Sequence, residues 1–168
     1  VDTAVDALRM ITDLPWQAVL LGTGDPVLEE KVRALETDFP DRVKAAIRFD
    51  AKLARRMYAG GDMLLMPSRY EPCGMAQMIA MRYGCPPVAR ATGGLRDTII
   101  DRPDPASSTG FLFSGDDPTS LAEAIQRAMQ AFHDKPGWLA RQICGMQQDF
   151  SWPRFAKTYV DLYAKLIR

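Results

Sequence analysis

One acidic side chain stands alone in the stretch RYEPCGMAQMIAMRYG, residues 69–84. Glu71 is followed by a proline, a cysteine and a glycine, and then by a dense run of methionine and other apolar residues. Pro72 disfavours helix at Glu71, and Pro67 stops the element before it. Glu71 therefore belongs to an extended loop, and Gly74 and the residues after it open a helix. The first N–H groups of a helix have no partner inside it and can hold an anion. A carboxylate beside such a start suits a sugar nucleotide, with phosphate at the helix and sugar hydroxyls on the carboxylate. The same carboxylate could stabilise positive charge that develops on a sugar carbon. The competing reading is local: Glu71 does no more than cap the helix.

RATGGLRDT, residues 90–98, repeats the design. Gly93 and Gly94 allow a close backbone approach, a helix follows, and Arg90 could offer phosphate a bidentate contact. The alternative is a flexible turn with Arg96 paired to Asp97 or Asp101. GTG at 22–24 follows an apolar run but lacks the third glycine of a dinucleotide fingerprint. Gly22 and Gly24 therefore read as a tight turn whose backbone lies near a nucleotide. The cysteines Cys73, Cys85 and Cys144 form no CxxC pair, and one histidine, His133, completes no metal site with them in any usual spacing. They read as reduced thiols of a cytosolic or stromal protein. Met57, Met63, Met66, Met75, Met78 and Met81 read as core filler.

The elements that must position these residues follow from the apolar pattern. Residues 16–21, 43–49, 62–67, 86–90 and 110–113 are short apolar runs bounded by turn residues, and read as buried strands. Helices lie between them: one at the start with Val1, Val5, Leu8 and Ile11 on one face, one capped by Asp25 with Pro26 at its first position, one at about 51–59 capped by Asp50, and one at about 74–83. A short helix closes the RATGGLRDT segment. Helices starting at Asp117–Pro118, Pro136 and Ser151 complete the chain. The last carries Phe155, Tyr159, Leu162, Tyr163 and Leu166 at helical spacing. Alternating helices and continuously apolar strands predict a doubly wound, mostly parallel α/β sheet, with ligands bound past the carboxyl ends of the strands. The segment 102–109, RPDPASST, reads as a mobile surface loop.

Bulk properties narrow the classes. A chain of 168 residues fits one domain or one lobe of a larger protein. Lysine plus arginine equals aspartate plus glutamate, 21 each, which argues against a nucleic-acid surface. No apolar run approaches the roughly 18 residues of a membrane span. The first residues carry no basic and apolar pair of segments of the secretory kind. A start at Val1, inside a helix, points to a piece of a longer protein.

Taken together, MPSRYEPCGMAQMIAMRYG and PVARATGGLRDTI resemble the bacterial glycogen synthase and plant starch synthase family, where the typical forms are PSRFEPCG, two variable residues and Q, then AMRYGT and RATGGL. LLGTGDPVLEE, RRMYAGGDMLLMPSR, TGFLF and DFSW extend the resemblance over nearly the whole chain. The resemblance implies a retaining glycosyltransferase of the two-lobed GT-B type that moves glucose from ADP-glucose or UDP-glucose to the non-reducing end of an α-1,4-glucan. The chain is then the carboxyl-terminal, donor-binding lobe: residues 1–150 form the Rossmann-like unit. Residues 151–168 form a helix packing on it or toward the other lobe. By position, Glu71 faces the donor glucose. Backbone at Cys73, Gly74 and Met75 holds sugar and distal phosphate, Phe49 stacks on the nucleobase, and Thr92, Gly93 and Gly94 line the cleft. No cofactor or metal is implied. The acceptor glucan is held by the other lobe.

The same resemblance places a first, central strand and a Lys-Gly turn just ahead of Val1, so the sheet is expected to lack its central strand and the isolated fragment to be inactive. Two departures bear on the site. Ala76 stands where the family has a phosphate-bonding Thr or Asn, and Ile79 where related transferases carry a second glutamate. Two alternatives follow: the donor lobe of another GT-B transferase, or a non-catalytic nucleotide-binding module.

Overall fold

The computed structural model describes residues 1–167. In chain order it contains α1 (Asp2–Met10), β1 (Ala18–Leu21), α2 (Pro26–Asp38), β2 (Val43–Ala46), α3 (Ala51–Gly60), β3 (Leu64–Met66), α4 (Ala76–Arg82), β4 (Pro87–Arg90), α5 (Gly93–Thr98), a 3-10 turn (Pro105–Ser107), β5 (Phe111–Phe113), α6 (Pro118–His133), α7 (Lys135–Met146) and α8 (Trp152–Leu166). The expected caps form. Asp25 accepts from the amide of Val27 at 2.8 Å, Asp50 from Leu53 at 2.9 Å and Asp117 from Ser120 at 3.0 Å. Each satisfies an amide that the helix itself cannot.

All strand pairs are parallel, as expected, but only β4 and β5 are mostly buried. Val19 of β1 and Lys44 of β2 are exposed and β3 is half-buried, so the strands are less covered than their apolar runs predict. They form two ladders, β1–β2 and β3–β4–β5, and among the described residues none joins β1 to β3. The register sorts side chains to two faces. Leu65, Val88 and Phe111 are cross-strand neighbours and pack into one cluster with Val5, Leu8 and Ile11 of α1 and Leu121, Ile125 and Ala128 of α6. Met66, Ala89 and Leu112, one residue further on, turn the other way and pack with Leu95 and Ile99 at α5. Val32, Leu35 and Val43 of α2 and β2 join the first cluster, so one core crosses both ladders.

Several elements differ from expectation. The first strand begins at Ala18, because Trp16 leaves the strand line and donates its indole N–H to the carbonyl of Ile11 at 2.8 Å. The second strand ends at Ala46, where the amide of Arg48 turns back to the Ala46 carbonyl at 2.9 Å. The helix expected from residue 74 starts at Ala76, since Gly74 has φ +71°. Residues 102–109 are not a loose loop. Ser108 and Thr109 are fully buried, the Thr109 hydroxyl accepts from the amide of Ile100 at 2.8 Å, and Arg141 donates to Ser108 at 3.3 Å. Met75 is not core filler, being 69% exposed. The aromatic stripe of α8 is exposed along its length, so that helix does not pack on the rest of the chain as one of its two expected placements had it.

Candidate functional site

β3 delivers the chain to the Glu71 loop, and β4 delivers it to the Gly93–Gly94 turn. The two strands are neighbours, so the loops at their carboxyl ends lie side by side. Their backbones are joined: the amide of Gly94 donates to the carbonyl oxygen of Glu71 at 3.1 Å. The approach is close enough that a side chain is excluded. A Cβ on Gly93 would overlap the carbonyl oxygen of Glu71, and one on Gly94 that of Cys73. Gly93 also has φ +44°, a left-handed conformation that other residues rarely adopt.

The Glu71 side chain is half-buried and, among the described residues, makes no hydrogen bond or ion pair. The residue preceding α4 is Met75, with no side-chain cap, so the capping explanation of Glu71 fails. Its carboxylate is part-exposed and uncommitted within the described chain. Cys73 and Met75 are exposed beside it, and Thr92, which precedes α5, makes no cap bond with its hydroxyl. With seven residues in α4 and six in α5, any anion here is held by individual N–H groups more than by a long helix dipole.

The cations around the loop are largely committed to the chain. Arg90 donates through Nε to the carbonyl of Gly115 at 3.0 Å and through Nη1 to that of Arg69 at 2.9 Å. Arg69 in turn makes a two-pronged pair with Asp2, at 2.8 and 3.2 Å, tying the loop to the start of α1. The hydrogen bonds from Arg69 hold the Asp2 carboxyl well below the usual carboxylate range. The alternative pairing of Arg96 with Asp101 is not formed, because Asp101 binds Arg127 at 2.8 Å and the amide of Leu112 at 2.8 Å.

Phe49 and the Gly22–Gly24 turn lie past the ends of β2 and β1, in the other ladder, with no bond to the Glu71 loop among the described residues. Phe49 is 88% exposed, a free aromatic face ahead of the Asp50 cap. The amide of Gly24 is occupied: it and the Thr23 hydroxyl donate to the Glu29 carboxylate at 2.9 and 2.8 Å. The Gly24 amide, then Thr23, lower the pKa of Glu29. Of the cysteines, Cys73 is exposed, while burial, with Asp62 adding to it, pushes the Cys85 thiol up to about 12.

One residue in this region was part of the quoted motif, as its Q, but was given no role. Gln77 is fully buried, and its Nε2 lies 3.1 Å from the Cys73 carbonyl oxygen, 3.0 Å from that of Gly74 and 3.2 Å from the Thr98 hydroxyl. The signal was present: a polar residue at a helical core position inside MAQMIAM needs partners if it is buried.

A parallel α/β lobe with close-packed glycine turns past its strand ends has the architecture in which ligands bind beyond the carboxyl ends of the strands. The chain belongs to the glycosyl transferases group 1 family, whose model matches residues 1–131. It is 47% identical over 165 residues to a glycogen synthase of Anaeromyxobacter sp. (strain Fw109-5), covering 98% of this chain and 35% of that protein. It is 45% identical over 168 residues to the glycogen synthase of Thermotoga maritima, covering 99% and 35%. The chain thus spans about a third of the length of these relatives. Among solved structures, the catalytic domain of Starch Synthase IV from Arabidopsis thaliana bound to ADP and acarbose matches 95% of this chain and 34% of that one, at TM-score 0.82 and 33% identity. Sucrose-phosphate synthase from Thermosynechococcus elongatus matches 99% and 42%, at TM-score 0.69 and 30% identity.

Proposed function

We propose that this chain is the donor-binding part of a glycogen or starch synthase, which moves glucose from ADP-glucose or UDP-glucose to the non-reducing end of an α-1,4-glucan with retention. The observation that carries the reading is the Glu71 carboxylate, uncommitted within the described chain and set where two glycine turns converge. In this reading the carboxylate hydrogen-bonds hydroxyls of the donor glucose and fixes its orientation. N–H groups of residues 73–75 meet the distal phosphate as the nucleoside diphosphate departs, and the Thr92 hydroxyl faces the same cleft. Phe49 offers its exposed ring to the base, adenine or uracil alike. Ala76 brings no hydroxyl, so phosphate is met there by backbone alone. In this reading no metal or other cofactor is required, because charge on the leaving group is met by N–H dipoles and by cations, most of them outside this chain. The glucan acceptor is held by a second lobe.

The test is turnover by the full-length protein with ADP-glucose and UDP-glucose, each with glycogen as acceptor, and the anomeric configuration of the new bond. The reading expects α-1,4 extension from an α-linked donor. Transfer to a small acceptor with glycogen ignored would favour the sucrose-phosphate-type relatives. ADP binding with no transfer to any acceptor would favour a non-catalytic module.

A further inference from the structure

The Gln77 amide sits at the junction between the Glu71 loop and α5, with an oxygen that is unpaired among the described residues. Its Nε2 carries two hydrogens and faces three acceptors: the carbonyl oxygens of Cys73 and Gly74 and the Thr98 hydroxyl oxygen. The Thr98 hydroxyl hydrogen is already given to the Gly94 carbonyl at 2.6 Å. All three neighbours therefore present lone pairs, and the amide has one workable orientation, nitrogen toward them. Its Oε1 is then buried with no hydrogen-bond partner among the described residues. A buried, unpaired amide oxygen costs about 1–3 kcal/mol, and an apolar side chain of the same shape would avoid that cost. The same replacement would take this donor from the Cys73 and Gly74 carbonyl oxygens, so the two costs oppose each other and net stability does not by itself decide for a glutamine here.

The bonds Gln77 makes do account for it. Gly94 is held on both sides, its N–H by the Glu71 carbonyl and its carbonyl by Thr98. Gln77 links Thr98 to the two peptides that follow Pro72. Gly74 must lack a Cβ, which would fall 2.6 Å from Gln77 Oε1. The result is a closed ring of bonds, Glu71–Gly94–Thr98–Gln77–Cys73/Gly74. It fixes the loop carrying the Glu71 carboxylate relative to the turn carrying Thr92.

We infer that Gln77, acting with Thr98, is a positioning residue: its amide clamps residues 71–74 against the Gly93–Gly94 turn so that Glu71 and the 73–75 amides keep one geometry toward the donor. This rests on the reading of Glu71 as a donor-facing group.

The experiment compares Gln77→Met, Thr98→Val and Thr98→Ser in the full-length protein. Methionine fills the space of glutamine without donating, and valine that of threonine. The inference expects Gln77→Met to keep Tm close to wild type, the lost bonds being offset by removal of the unpaired oxygen, while kcat falls about tenfold or more, a size typical when a positioning contact is lost. Thr98→Val should behave alike, Thr98→Ser should restore kcat, and the Gln77→Met/Thr98→Val double variant should lose no more than either single one. Amide exchange at residues 71, 73–76 and 94 should speed up in both apolar variants and not in Thr98→Ser. Wild-type kcat and exchange in Gln77→Met would overturn the inference, as would a kcat loss matched by a fall in Tm. If the wild-type protein transfers no glucose, the functional reading fails, and the exchange data still decide whether the clamp exists.

Discussion

The amide of Gly94 donates to the carbonyl oxygen of Glu71 at 3.1 Å, so the turn after β4 and the loop after β3 share one backbone junction. A methyl at Gly94 would overlap the carbonyl oxygen of Cys73. Gly94→Ala should therefore destabilise by about 1–3 kcal/mol, the range for overpacking, and displace the Glu71 loop. Gly60→Ala, at the end of α3, meets nothing within 4 Å and should be neutral or stabilise by up to about 1 kcal/mol. Thermal or denaturant unfolding of the two variants checks the contrast. Equal effects would mean that the junction tolerates a side chain.

Ala76 opens α4 with a half-buried methyl next to the exposed Met75. If the distal phosphate of the donor rests here, a hydroxyl at this position gains one bond to a charged oxygen, worth about 1.5–3 kcal/mol at most. Ala76→Thr should lower the donor KM several-fold with little change in Tm. An unchanged or raised donor KM would place the phosphate elsewhere.

Asp50 and Asp117 cap α3 and α6, and both titrate below the ordinary value of 3.8. The Leu53 amide is the leading cause for Asp50, and the Ser120 hydroxyl for Asp117. A carboxyl whose pKa is lowered by folding contributes stability above its unfolded value and loses it as pH falls through the folded value. The stabilisation should be complete at neutral pH and fade below about 3.8. Asparagine can still cap but carries no charge. Tm of the Asp50→Asn/Asp117→Asn variant should fall short of wild type at neutral pH, with the gap closing in acid. A gap that widens in acid would contradict the assignment.

Much of this was legible because local rules dominate. The three aspartate caps and the continuously apolar strands state their own structure, and Pro67 and Pro72 keep Glu71 out of helix. Less legible was anything decided by partners distant in sequence. Nothing near Arg90 announces that its guanidinium goes to the carbonyls of Arg69 and Gly115. The order in residues 102–109 depends on Arg141, 33 positions beyond Ser108. The motifs pointed to Glu71, Gly93 and Gly94, and the structure adds why the glycines are needed: they let the backbone of 71–73 pass at contact distance. Gln77 was visible as the Q of the motif, but its role was not, since its partners Cys73, Gly74 and Thr98 are seen only in the fold.

The central claim is that the free carboxylate of Glu71 faces the donor sugar. It is tested most directly by steady-state transfer from ADP-glucose and UDP-glucose to glycogen by the full-length Glu71→Ala and Glu71→Gln proteins, with Tm measured alongside. Because Glu71 has no bond within the described chain and caps nothing, both variants should keep the wild-type Tm within a degree or two. Both should lose about 100-fold or more in kcat, the scale of removing one preorganised electrostatic group. Near-normal turnover in a stably folded Glu71→Ala protein would contradict the account.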